Sequence, residues 1–374
     1  MIYFDHAATS YPKPHAVLSA HARALRDFGG NPGRGAHRLS LAAAEMIYEC
    51  RCRIADFFGV AEPERVVFTA GATAALNLAI HRRVRRGIHV LISDREHNAV
   101  ARPIFALAEQ GIITYDTYPA SGDVEAGIRE RLRQDTGLIV ACHASNVTGR
   151  AVPLEAISLL CCERGIPLIV DAAQSAGHRR IDLNATPCDA LCFPAHKGLL
   201  GAAGLGVAIL SDSAGEPLIR GGSGVDSLRR EMPELLPERF EAGTLPTPAI
   251  AALLAGVKYL DAVGIDSVTL REEQLHKTLT EGLSVMNGIQ LYEPECIGSV
   301  VSFTHRAYAP EEIAARLDRA GVMSRAGYHC APLAHRAIGT PKGGCVRIST
   351  GYSNTERDAL RFLRILEGCL KMTE

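Results

Sequence analysis

Between residues 65 and 174 the sequence alternates short apolar runs with helical stretches. RVVFT precedes AALNLAI, IHVLIS precedes EHNAVARPIFALAEQ, IITYDTY precedes a helix ending in RERLRQ, GLIVACHAS precedes PLEAISLLCCERG, and PLIVDAAQ closes the series. Alternation at this rhythm predicts a mostly parallel sheet covered by helices. In such a sheet the carboxyl ends of the strands face one shared crevice, where ligands bind. His97, Asn146, Asp171 and Gln174 all stand at such ends.

A further strand-like run, ALCF, leads into AHKGLLGAAGLG and sets Lys197 between apolar residues and a glycine-rich turn. A desolvated lysine in that setting has its pKa lowered and can act as an imine-forming amine, although a solvated turn lysine has the same local look. Asp171 follows its own apolar strand about 25 residues earlier. An acid so placed is what pyridoxal phosphate chemistry needs to keep the pyridine nitrogen protonated. A helix N-cap is the competing job for this aspartate. Upstream, Gly71, Ala72 and Thr73 form a strand-to-helix junction whose free N–H groups and helix dipole suit a phosphate.

The 374 residues exceed one ordinary domain, yet no Ser/Pro-rich linker divides them, so a large domain with a smaller appended one is expected. Forty Lys and Arg against 41 Asp and Glu give a formal charge of −1, which excludes a global electrostatic pull toward nucleic acid or membrane. No basic, apolar leader is seen in MIYFDHAATSYPKPH and no run reaches membrane-spanning length, so a soluble, cytoplasmic protein is expected. Eleven cysteines in such a chain read as reduced and mostly buried, including Cys50, Cys52, Cys161 and Cys162. With no CxxC pair, and CDALC of the wrong spacing, no metal site is expected.

The segments VDAAQ, AHKGLLG, RFEAGT, SRAGYHC and VRIST, together with YFDHAAT near the start, resemble class V enzymes of the fold-type I pyridoxal phosphate group. The resemblance is strongest to the cysteine desulfurase and selenocysteine lyase branch, in its short-loop group II form. It implies a large α/β domain over residues 15–250, with a mostly parallel seven-stranded sheet, and a smaller α+β domain over 251–374 joined by residues 1–14. It also implies pyridoxal 5′-phosphate as cofactor, with Lys197 carrying it and Asp171 on the ring nitrogen. His97 would stack on the ring, and Gln174 and Asn146 would reach the ring oxygen or the substrate carboxylate. Thr73, the backbone at Ala72 and His196 would hold the phosphate, with Thr244 reaching the site of a neighbouring subunit in a homodimer. Arg347 would bind the substrate carboxylate, Arg325, His37 and Arg34 would lie near the substrate mouth, and Cys330 would be the nucleophile.

Two departures from the family pattern stand out. Pro194 replaces a hydroxyl residue two positions before His196, and Ala72 replaces the first of a threonine pair. Proline offers neither hydroxyl nor N–H, so phosphate binding is expected to lean on Thr73 and His196. The resemblance implies conversion of L-cysteine to alanine with a persulfide on Cys330, or the corresponding cleavage of L-selenocysteine. It leaves the protein that accepts the persulfide open. Two other readings stay in view: a class V aminotransferase, kynureninase-like hydrolase or epimerase that uses the same lysine without a thiol, and a weakly catalytic sulfur-relay scaffold.

Overall fold

The computed structural model describes residues 1–33, 35–295 and 298–371. After a short strand β1 (Ile2–Tyr3), helices α1 (His15–Asp27) and α2 (Arg38–Phe57) lead into the alternating region. There β2 (Val66–Thr69), α3 (Ala72–Arg83), β3 (His89–Ser93), α4 (Asn98–Glu109), β4 (Thr114–Tyr118), α5 (Val124–Arg129), β5 (Thr136–Cys142), α6 (Leu154–Arg164) and β6 (Leu168–Asp171) follow in turn. Strands β7 (Ala190–Pro194) and β8 (Gly206–Leu210) complete a seven-stranded sheet of order β2-β8-β7-β6-β5-β3-β4. All its described pairings are parallel except those of β8, which runs antiparallel to both β2 and β7.

The central strands are apolar throughout because both faces are covered. Leu91, Ile139, Val170 and Leu191 pack to one side, in a core shared with α2, α6 and the following helix α7 (Thr247–Val263). Their neighbours Val90, Ile92, Val140 and Ile169 pack to the other, against α3 and α4. The two-residue side-chain period of a strand thus divides one sequence between two cores. The helix expected to end in RERLRQ stops at Arg129. A six-residue segment capped by the Asp123 carboxylate is all that forms, with a glycine in it.

The rest of the chain comprises α8 (Ile265–Ser284), β9 (Ile289–Tyr292), β10 (Val300–His305), α9 (Pro310–Arg319), β11 (Val322–Met323), β12 (Arg325–Gly327), α10 (Pro332–Ala337), β13 (Cys345–Ser349) and α11 (Glu356–Lys371). An antiparallel sheet of order β12-β13-β10-β9 backs onto α8, α9 and α11. Strand β1 pairs in parallel with β11, and Ile2 and Phe4 enter the apolar core of this part beside Leu279, Phe303 and Phe362. Helix α7 packs on α1 and α2, so residue 250, the expected domain limit, lies inside a helix. Among the described residues no single helix is long and apolar enough to cross a membrane.

Sheet topology fixes where a site can sit. From β3 the chain moves outward to β4, whereas from β5 it moves the other way to β6 and β7. The carboxyl ends of β3 and β5 therefore bound a crevice at the point where the strand order reverses.

Candidate active site

A cavity of about 250 Å³ lies at that crevice, lined by Thr73, His97, Asn146, Asp171, Gln174, His196 and Lys197 among others. Asp171 ends β6 and is 4% exposed. Burial pushes its carboxyl above the usual range, while the Ala173 N–H at 2.9 Å and the nearby Lys197 pull it back. Burial also drives Lys197 down to about 8, against the attraction of Asp171. A buried acid that gains from a cation and an amine that is easily neutral stand on one cavity wall. Asn146 Oδ1 and Gln174 Oε1, in the same lining, are buried without a hydrogen-bond partner. Their amide nitrogens are engaged, with the carbonyls of His329 at 2.7 Å and Ala7 at 2.9 Å. Orphaned acceptors of this kind signal an absent donor.

At one end Gly71 adopts φ of +91°, open to glycine at little cost, and turns β2 into the twelve-residue helix α3. Ala72 and Thr73 begin that helix, and its first turn meets the cavity. Strand β8 comes so close at Gly206 that an added Cβ would lie 2.3 Å from the Gly71 carbonyl carbon. His196 Nδ1 is 3.0 Å from Thr9 Oγ1, and burial lowers its pKa to about 4, as it does for His97. His97 is also the N-cap of α4, its Nδ1 accepting from Ala99 N at 3.0 Å.

Two cross-strand neighbours, Arg325 on β12 and Arg347 on β13, supply positive charge nearby. Like charges facing each other would repel, but Asp5 bridges them at 3.2 and 2.9 Å. Arg347 is 2% exposed, spends Nη1 on the Asn146 carbonyl at 3.0 Å, and keeps its Nε without a partner. Cys330 is exposed, on a loop whose His329 and Cys330 both take positive φ, +49° and +56°. Its carbonyl accepts from Asn98 N at 2.8 Å, which fastens the loop one residue from His97. Cys142 is the thiol that lines the cavity itself, yet burial pushes its pKa far up and its sulfur donates to the Ala144 carbonyl at 3.3 Å.

The family model for aminotransferase class-V matches residues 2–362. A probable cysteine desulfurase of Methanothermobacter thermautotrophicus is 33% identical over 96% of this chain and 92% of its own length. The chain belongs to the class-V aminotransferase family, in its cysteine desulfurase branch. A probable cysteine desulfurase of Pyrococcus abyssi is 32% identical over 99% of the chain and 94% of its own length. Among solved structures, the apo cysteine desulfurase of Thermococcus onnurineus superposes with a TM-score of 0.90 at 30% identity, covering 99% of this chain and 94% of that one. Enzymes of this family work with pyridoxal 5′-phosphate. The cavity suits that group: an acid for a ring nitrogen, two orphaned amide oxygens for polar ring substituents, a helix N-terminus for phosphate and a lysine of lowered pKa.

Of the other expected residues, His37 and Thr244 are absent from this lining. His37 is exposed and serves as the N-cap of α2, with Ser40 N donating to its Nδ1 at 3.4 Å. Arg34 lies outside the described residues. Thr244 is exposed, 3.4 Å from Asn31 Nδ2, and lines a separate cavity of about 550 Å³. That void is larger, but the acid and amine pair belongs to the smaller one. Three residues went unread in the sequence. Asp5, in YFDHAAT, is the arginine clamp; a charged residue just after a first strand was its one visible signal. Lys13 donates to Ser10 Oγ at 2.6 Å and to the His196 carbonyl at 2.7 Å. Glu96 is fully buried, and three donors converge on its Oε1 while Oε2 has no partner.

Proposed function

We propose that this protein converts L-cysteine to L-alanine and collects the sulfur as a persulfide on Cys330. When bound, pyridoxal 5′-phosphate supplies an electron sink for the carbanion that forms at the substrate α-carbon. Lys197 would carry the group through its amine, with Asp171 on the ring nitrogen and Gln174 and Asn146 on its polar edge. The first turn of α3, Thr73 and the neutral ring of His196 would take the phosphate. Pro194, inside β7, contributes only packing there.

Arg347 would hold the substrate carboxylate through the Nε that is left free, since its other nitrogens already meet Asp5 and Asn146. Lys197, whose amine pKa burial lowers to about 8, would move the α-proton. Cys330 as thiolate would attack the substrate sulfur: an S–S bond forms, the carbon–sulfur bond breaks, and the electron pair left on carbon takes up a proton to give alanine. His97, close to the loop anchor and held neutral, would take up the thiol proton. The observation that carries this reading is the Asn98 to Cys330 hydrogen bond, which holds an exposed cysteine beside the cavity that contains Lys197 and Asp171.

Thr244 is exposed and absent from the lining of its own chain's Lys197 cavity, which supports a homodimer in which it serves the partner subunit's phosphate site. Alanine release from L-cysteine and L-selenocysteine, measured for wild type, Cys330→Ala and Cys142→Ala, tests the reading. Loss of cysteine turnover in Cys330→Ala alone is expected, with the yellow colour of the loaded enzyme kept. Selenium leaves carbon more readily, so turnover of L-selenocysteine is expected to survive that substitution. Full activity of Cys330→Ala on cysteine would return the protein to thiol-free class V chemistry.

A further inference from the structure

Behind the Cys330 loop lies a second group of chemically capable side chains that the proposed reaction does not use. His329 sits on the loop, His335 on α10 and Cys345 at the start of β13. One ring nitrogen from each histidine and the Cys345 sulfur all lie within 4.8 Å of one another. His335 and Cys345 are fully buried and His329 is 8% exposed. Val147, Ala331, Ala334 and Ile338 pack around them, with the Thr340 hydroxyl and the Tyr328 ring against His335.

The hydrogen bonding of this cluster is incomplete in a specific way. His335 Nδ1 pairs with Thr340 Oγ1 at 2.7 Å, and its Nε2 is buried without a partner. A histidine whose far nitrogen is fixed by an oxygen, and whose near nitrogen is bare, has the arrangement of a metal ligand with its outer-sphere partner. His329 Nε2 stands 3.6 Å from Cys345 Sγ and 3.3 Å from the Cys345 carbonyl, a weak hydrogen bond that an ion would displace. Zinc bonds of about 2.0 Å to nitrogen and 2.3 Å to sulfur give a tetrahedral N···S edge of about 3.5 Å, close to that separation.

We propose that His329, His335 and Cys345 form a binding site for a divalent cation of the zinc class, with a fourth position open to water or to a ligand from the Cys330 loop. Two imidazoles and a thiolate are a borderline-soft set, which selects zinc over calcium or magnesium. Arg347, two residues along β13 from Cys345, adds an opposing positive charge, which Asp5 offsets through its 2.9 Å contact. Binding converts the Cys345 thiol to thiolate and releases its proton, so the site gains one negative charge as the ion enters. The ligands come from a loop, a helix and a strand, which is why no CxxC-like spacing reveals them.

The test uses the full-length, cofactor-loaded protein, freed of metals with a chelator and titrated with Co²⁺ alone, read by the visible bands of tetrahedral cobalt. One ion per chain is expected, with binding weakened roughly tenfold or more in both Cys345→Ser and His335→Gln. Thr340→Ala, which leaves the three ligands in place, is expected to weaken binding by a smaller factor; circular dichroism checks that each variant is folded. No tetrahedral bands in wild type, or unchanged binding in both ligand variants, overturns the proposal. Binding that disappears only in Cys330→Ser overturns it too, by assigning the ion to the exposed thiol. The readout is independent of desulfuration, so its failure is distinct from failure of the proposed function.

Discussion

Two buried carboxyl groups near the site are held in different ways. Asp171 has one N–H donor and a lysine neighbour to favour its charge, whereas Glu96 is pushed by burial up to about 8 despite donors from Ser93 and Cys142. In the unfolded chain a glutamate ionises near 4.5, so between 4.5 and about 8 the folded protein binds a proton that the unfolded one releases. This residue's contribution is therefore present at low pH and lost as pH rises through that window. Glu96→Gln removes the dependence; its thermal midpoint is expected to gain on wild type steadily from pH 5 to pH 8, and a constant difference would show that Glu96 is ionised in the fold. For Lys197 the shift runs the other way, to about 8 from 10.5. Colour development on adding pyridoxal phosphate to the apo-protein should accelerate as pH rises through 8, and stopped-flow absorbance should find none in Lys197→Ala. Lys197, Asp171, His97 and Gln174 are legible in the sequence because each follows an apolar strand. Asp5 and Glu96 are not, since their meaning lies in partners: the Arg347 contact of Asp5 spans 342 positions.

At the level of elements, the strands of the large sheet are readable because burial on both faces makes them continuously apolar. The two- and three-residue strands β11 and β12 and the one-and-a-half-turn helix α10 carry no such signature; tertiary pairing makes them. The same holds for the antiparallel direction of β8, which depends on the length of the turn after Lys197. That strand presses Gly206 onto the first turn of α3, with an added Cβ 2.6 Å from Ala72 N. Gly206→Ala is expected to destabilise the protein by about 1–3 kcal/mol. It should also weaken cofactor retention, because the displaced turn is the one that offers its N–H groups. Chemical denaturation and dialysis against buffer check the two effects, and retention equal to wild type would argue that phosphate is held elsewhere.

Across the whole molecule, residues 5–13 tie the two sheets together. Asp5 holds the arginines of the small sheet, the Ala7 carbonyl takes Gln174, and Ser10 donates to the Lys197 carbonyl at 2.9 Å. Asp5→Asn leaves the buried Arg347 charge without its counter-ion and is expected to cost roughly 3 kcal/mol, measurable by urea unfolding. Acid sensitivity is also a property of the whole fold. His6, His97, His143 and His196 are each lowered from 6.5 to about 4, first by burial. The unfolded state takes up protons that the native state refuses, so stability present above pH 6.5 falls steadily toward pH 4. Thermal midpoints that stay level across that range, after subtracting the Glu96 effect, would contradict this account.

The pairing of β1 with β11, and of Asp5 with Arg347, also sets a timetable. A chain leaving the ribosome exposes its lysine, its acid and its phosphate-binding turn long before the last strand emerges. Its first residues have nothing to join until then. The Arg347 half of the clamp cannot close before β13 has been made. The charge that the substrate carboxylate would meet is therefore set in place late, when β13 joins a segment made more than three hundred residues earlier.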